Sequence, residues 1–255
     1  MEQLKKQTYK SPLRYPGGKT RAIKYIYPYI PANVTELCSP FLGGASFELF
    51  LSSKGIKIYG YDLFEPLTNF WNVLLNNSFQ LYETVKKMHP ISKEYFYKLR
   101  NEYDKYNNIN KAAIFYMLNR SSFSGATFSG GMSKGHPRFT ESSINKLYNF
   151  KNNLISVENA DFEIAINNHP TSFLYLDPPY LINDNLYGDK GNMHKYFDHK
   201  RLYNILSKRD DWILSYNDCK FIRELYSDYN IVDLDWKYGM SKNKKSSEIL
   251  IINKE

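Results

Sequence analysis

The tetrapeptide Asp177-Pro178-Pro179-Tyr180, which follows the apolar run FLYL, combines a carboxylate, two backbone positions without N–H donors and an aromatic ring. Proline removes the amide donor and fixes φ, so the turn stays extended and its carbonyls remain available as acceptors. A carboxylate, a free carbonyl and an aromatic face suit a planar amino group attached to a ring. The exocyclic amine of adenine is such a group, and a poor nucleophile, because its lone pair is delocalised into the base. With Asp177 and the Pro178 carbonyl accepting its two hydrogens, the nitrogen can pyramidalise and attack an electrophilic methyl group. The carboxylate also stabilises the positive charge that develops. Tyr180 can stack on the ring. The same residues also fit a plain Asp-Pro-Pro turn carrying a surface tyrosine.

Two other stretches carry chemistry. In Pro40-Phe41-Leu42-Gly43-Gly44-Ala45 the glycines let the backbone approach a ligand, and Asp62 closes the next apolar run, 19 residues after Gly43. That spacing places an acidic residue where it accepts hydrogen bonds from ribose hydroxyls. The turn is not G-x-G-x-x-G, so an adenosine-containing cofactor fits better than a dinucleotide. Alone, Asp62 also reads as a strand-end turn residue. Gly17-Gly18-Lys19-Thr20 resembles the end of a phosphate loop, but the pattern requires a glycine where Leu13 stands. The polar MEQLKKQTYK cannot be the strand that feeds such a loop. A Pro-Gly-Gly turn with Lys19 in solvent is the local alternative.

These residues need elements to hold them. VTELC reads as a strand, followed by the glycine turn, a helix through Phe47, Leu49, Phe50 and Leu51 closed by Gly55, and a strand IKIYGYD ending at Asp62. This βαβ unit predicts a parallel sheet. RAIKYIYPYI predicts a short helix stopped near Pro28 and Pro31, and residues 70–118 read mostly helical. Asn119 to Phe139, rich in Gly, Ser and Thr, reads as a hairpin or long loop. Strands then end near Asp161 and at Asp177, a helix covers about 198–208, and WILSYND and two strands around a basic loop close the chain.

The 255 residues suffice for one large domain or a domain with an insert. The excess of Lys+Arg over Asp+Glu, 34 − 26 = +8, favours a polyanionic partner such as nucleic acid. Abundant Lys, Asn, Ile and Tyr supply part of that basicity as inherited composition. No apolar run approaches a membrane span and the N-terminus lacks an apolar signal region, so a cytosolic protein is expected. Cys38 and Cys219 show no metal-ligand spacing, and His194 and His199 are badly spaced for one helix face, so no metal is expected.

In order and content, these motifs resemble the Dam-type, D12-class adenine-N6 DNA methyltransferases of the α-group, over nearly the whole chain. PLRYPGGK, SPFLGGAS, YGYD, NADF, LDPPY, WILSYND and SKNKKSSEILIIN carry the resemblance. It implies a Rossmann-like S-adenosylmethionine-dependent α/β sheet (residues 1–69 and 150–255) with an inserted, mostly helical target-recognition domain carrying a hairpin (70–149). It also implies methyl transfer from S-adenosylmethionine to adenine N6 in a specific short sequence of double-stranded DNA, with base flipping and in-line transfer. Restriction-modification is the setting implied, in a bacterial or viral cytoplasm. Catalysis would fall to Asp177, Pro178 and Tyr180. Tyr15, Lys19, Phe41, Gly43, Asp62, Asp161, Phe162 and Asp177 would hold the cofactor: Tyr15 near the sulfonium, Lys19 at the methionine carboxylate, Asp62 at the ribose, and Asp161 with Phe162 at the adenine. Where many relatives carry Glu before Pro-Phe, this chain has Ser39, so a carboxylate that positions the cofactor's amino acid portion is missing and weaker cofactor binding is expected.

DNA would be met by Asn119 and Arg120 at the flipped site, by Lys134, His136 and Arg138 at phosphates or base edges, and by Lys242, Lys244 and Lys245 at phosphates. A surface role without DNA contact is an equal alternative for each of the first five. No obligate protein partner is expected; a monomer suffices for one-strand-at-a-time methylation, with a dimer as the alternative. Methylation of cytosine N4, of RNA or of a protein amide is the rival enzyme reading, and a silent DNA-binding repressor is the rival of another class.

Overall fold

The computed structural model describes residues 10–135, 138–181, 197–234 and 248–253. After α1 (Ile23–Ile26), β1 (Glu36–Ser39) runs through the glycine turn into α2 (Ser46–Ser52), and β2 (Lys57–Asp62) follows. Helices α3 (Glu65–Asn76), α4 (Ser78–Lys86), α5 (Lys93–Asn101), α6 (Asn108–Ser121) and α7 (Glu141–Ile144) come next. Then β3 (Ile155–Asn159), α8 (Phe162–Asn168), β4 (Phe173–Leu176), α9 (His199–Leu206), β5 (Trp212–Asn217), α10 (Lys220–Leu225), β6 (Asn230–Leu234) and β7 (Glu248–Ile252) complete the order.

The strands form one seven-stranded sheet in the order β3-β2-β1-β4-β5-β7-β6. The first five are parallel, and β7 pairs antiparallel with both β5 and β6. This mostly parallel α/β sheet is the Rossmann-like architecture expected of a methyltransferase. The chain leaves β1 in one direction and β4 in the other, so a crevice opens beyond their carboxyl ends, where such sheets bind ligands. Ser39 ends β1 and Leu176 ends β4, which brings the glycine turn and Asp177-Pro178-Pro179-Tyr180 to opposite walls of that crevice. The reversed β7 starts at the same edge. Glu248, its first residue, pairs in register with Asn217 and Leu234 at the ends of β5 and β6.

The boundary expected at 69/70 falls inside α3, which packs on β2 and β3 with one face and on α4 and α6 with another. One apolar core therefore runs from the sheet through Phe70, Trp71 and Leu74 into Phe115, Tyr116 and Leu118 of α6. Helix α6 is buried nearly all round, as a helix apolar on every face must be. It starts at Asn107, whose side chain accepts from the Asn110 amide. Its last turn takes in Asn119 and Arg120, which the sequence placed in a hairpin or loop. Beyond it the chain makes a short turn at Phe123–Gly125 and a single antiparallel bridge, Ser122 to Met132. Among the described residues, no helix is long and apolar enough to cross a membrane.

Gly125 occupies the left-handed region (φ 77°), and a Cβ there would stand 2.4 Å from the Arg14 carbonyl oxygen. Gly125→Ala is expected to cost about 1–3 kcal/mol of stability, read as a lower urea midpoint. Gly55→Ala is the control: it has positive φ (90°) but open space around the new methyl, and is expected to cost less.

Candidate active site

Lys19 anchors the crevice. It is 3% exposed, so the solvent-exposed alternative is overturned. Its ammonium lies 2.8 Å from Asp177 Oδ1, donates to Tyr180 Oη at 2.8 Å and to the Gly17 carbonyl at 3.1 Å, and sits 3.6 Å from Glu248 Oε1. Its three N–H donors thus face four protein oxygens. The resemblance implies a methionine carboxylate as a partner of Lys19; in this arrangement the ammonium faces Asp177, Tyr180 and Glu248. Burial opposes the Lys19 charge, but Asp177 and Glu248 overcome it and hold the amine above its usual range. Burial pushes Asp177 up to about 6 against the pull of Lys19, with Glu248 adding to the rise.

The glycine turn forms the opposite wall. Gly43 has φ 49°; a Cβ there would stand 2.9 Å from the Tyr15 ring, and one on Gly44 would stand 2.7 Å from Tyr15 Cβ. Only a glycine pair lets that ring lie on the turn. The turn is tied down by the Trp71 indole, which donates to the Gly43 carbonyl at 3.0 Å, and by Asp62, which accepts from the Gly43 and Phe64 amides at 3.0 Å each. Burial raises the Asp62 carboxyl to about 6 despite the Phe64, Gly43 and Leu63 amides that pull it down. Three amides leave this carboxylate acceptor capacity for a ligand hydroxyl.

Phe41, Phe162 and Phe197 make the apolar end, with ring centroids 5.5 Å apart in each pair. Asp161 caps α8 by accepting from the Glu163 amide and is ion-paired to Arg201, whose guanidinium lies 4.2 Å from the Phe162 centroid. These groups and the glycine turn enclose a cleft of about 430 Å³, lined by Tyr15, Lys19, Phe41, Gly43, Asp62, Asp161, Phe162, Asp177, Pro178 and Tyr180. That volume lies in the range of small-ligand sites, roughly 300–1,000 Å³. The glycine cradle, a ribose-competent carboxylate and an aromatic slot fit S-adenosylmethionine.

The residues expected at DNA separate. Asn119 is fully buried: its carbonyl accepts from the Arg14 amide at 2.8 Å, and its amide donates to the Arg14 carbonyl at 2.8 Å and the Gly125 carbonyl at 3.3 Å. It clamps the segment before Tyr15 to α6 and cannot reach a base in this arrangement. Arg120 also holds that segment, donating to the carbonyls of Arg138 and Pro12. Lys134 and Arg138 are exposed. His136, Lys242, Lys244 and Lys245 lie outside the described residues. Sequence reasoning missed Arg14, which the guanidiniums of Arg120 and Arg138 face closely enough that burial and their charge lower its pKa. Among the described residues none of these three arginines has an ion-pair partner. It also missed Phe123, 73% exposed in the adjoining turn, Glu48, Phe197 and Arg201, and Glu248, whose motif gives no sign that it folds back to Lys19.

Similarity to known proteins agrees with this geometry. The chain is 26% identical over 238 residues to the type II methyltransferase M.CviBI of Paramecium bursaria Chlorella virus NC1A, covering 89% of this chain and 90% of that protein. It is 26% identical to the type II methyltransferase M.MjaIII of Methanocaldococcus jannaschii, over 86% of this chain and 88% of the relative. It is 25% identical to the modification methylase StsI of Streptococcus sanguinis, over 98% of this chain and 44% of that protein. Residues 15–240 match the family described as D12 class N6 adenine-specific DNA methyltransferase. The chain belongs to that family.

Proposed function

We propose that the protein transfers a methyl group from S-adenosylmethionine to the N6 amine of an adenine flipped out of a specific short sequence in double-stranded DNA. The observation that carries this reading is Asp177, set by β4 at the crevice between Lys19 and Tyr180 and facing the glycine turn. S-adenosylmethionine, when bound, supplies an electrophilic methyl group. Tyr15, Phe41, Gly43, Asp62, Asp161 and Phe162 hold it against the glycine turn. Asp177 and the Pro178 carbonyl accept the two amine hydrogens of the target, and Tyr180 packs on the base. As the amine forms its bond to the methyl carbon, the carbon–sulfur bond breaks and S-adenosylhomocysteine leaves; the Asp177 carboxylate stabilises the positive charge on nitrogen and accepts its surplus proton, which restores a neutral amine. Lys19 keeps Asp177 ionised in a buried setting.

The segment 70–149 reads the DNA. Arg14, Arg120 and Arg138 crowd three positive charges at its junction with the crevice, a setting that phosphate relieves. Lys134, His136, Lys242, Lys244 and Lys245 add phosphate or base contacts. Phe123 has the exposure and size of a wedge that opens a base step; flipping a base costs a few kcal/mol, which such contacts offset. Label transfer from methyl-labelled S-adenosylmethionine to unmethylated DNA, followed by nucleoside mass spectrometry, tests the reading. Label in N6-methyladenine supports it. Label confined to cytosine, RNA or protein, or cofactor binding without transfer, refutes it.

A further inference from the structure

The Ser39–Glu48 pair plays no part in the steps above. Ser39 ends β1, and Glu48 lies in the first turn of α2. The Ser39 hydroxyl donates to Glu48 Oε1 at 2.8 Å, and Glu48 is 3% exposed yet lines the cleft. Among the described residues no Lys, Arg or His pairs with it; Lys19, whose charge reaches it, is held by Asp177 and Glu248. Burial raises this carboxyl to about 7, with the Ser39 hydrogen bond and Lys19 pulling the other way and Asp177 adding to the rise. A buried carboxylate without a cation is costly, and this one opens onto a ligand cleft.

Sheet order says which part of the ligand reaches it. Along the carboxyl edge the order is β3, β2, β1, β4, with neighbouring strands about 4.8 Å apart. Asp161 and Phe162 follow β3, Asp62 ends β2, Ser39 ends β1 and Asp177 follows β4. With adenine at the first and ribose at the second, the amino acid portion lies at β1, beside the methyl acceptor at β4. We infer that Glu48 receives the ammonium group of S-adenosylmethionine, with Ser39 orienting its carboxylate. The inference rests on the cofactor reading above. It also bears on the expectation at position 39: where the resemblance led to a carboxylate and Ser39 stands instead, a carboxylate reaches the end of β1 from α2.

Calorimetric titration of wild type and Glu48→Gln with two ligands tests this. S-adenosylhomocysteine carries the ammonium; 5′-methylthioadenosine lacks the whole amino acid portion. Glu48→Gln keeps the shape and an acceptor for Ser39 while removing the charge. S-adenosylhomocysteine affinity is expected to fall roughly 10–100-fold, the worth of one hydrogen bond to a charged group, with 5′-methylthioadenosine affinity unchanged. The 5′-methylthioadenosine arm shows that the variant's site is folded. Equal losses for both ligands, or no loss for either, overturn the assignment. Wild type that binds neither ligand refutes the cofactor reading, and this inference with it.

Discussion

Asp177→Asn is expected to slow methyl transfer by roughly 10²–10⁴-fold while cofactor and DNA affinities stay within a few-fold of wild type. Asparagine keeps the size and one acceptor, so the turn and its neighbours persist. The negative charge that opposes the developing positive charge on the amine is gone, and one of the two hydrogen acceptors becomes a donor. Lys19 is not stranded, because Glu248 still stands 3.6 Å away. Single-turnover rates beside S-adenosylhomocysteine and DNA titrations separate the outcomes. A rate within tenfold of wild type, or binding lost in step with rate, removes Asp177 from the chemical step.

Lys19→Met is expected to act on both rate and stability. Burial and Glu248 raise the Asp177 carboxyl and Lys19 pulls it back to about 6. Without the ammonium it titrates above that value. The ionised form accepts the amine hydrogens, so wild-type kcat/KM climbs as pH rises through about 6 and then levels. In the variant that limb moves to higher pH by at least about one unit, so near pH 6.5 the rate falls by about threefold or more, and the loss is regained as pH rises toward 9. Removing one partner of a buried ion pair also costs about 3–5 kcal/mol. A carboxyl that binds its proton more tightly folded than unfolded favours folding at low pH and loses that contribution as pH rises through the folded pKa. The variant's Tm deficit is therefore expected to be small at pH 5 and large at pH 8. An unshifted acid limb, or a deficit that shrinks on going alkaline, assigns Lys19 some other role.

The crevice was legible because its parts obey local rules. A glycine pair, an acidic strand end and a proline turn announce themselves within a few residues, and parallel topology brings strand ends together. What was hidden depends on partners that no local rule brings together. Ser39 read as the loss of a carboxylate, because nothing local says that Glu48 folds back onto it. Lys19 read as a loop lysine beside a ligand, because Glu248 joins it only through the reversed β7. Asn119 read as a DNA contact; the Arg14 backbone, 105 residues earlier, encloses it. The boundary at 69/70 followed a motif order that ignores packing, and α3 crosses it because one apolar helix serves both the sheet and α6. Helices α8 and α10, of seven and six residues, are too short for their periodicity to stand out.

Arg14 and Tyr15 are consecutive. The backbone of the first is clamped by Asn119 and abutted by Gly125; the ring of the second lies on Gly43 and Gly44. One short stretch thus belongs at once to the cofactor wall and to the base of the turn that carries Phe123. Any ligand that fixes Tyr15 lowers the entropy still to be lost when the turn is ordered by DNA, and the reverse holds by the same amount, since linkage between two sites is reciprocal. On the proposed reading, cofactor and DNA are expected to bind cooperatively through this strap, each tightening the binding of the other by the same factor.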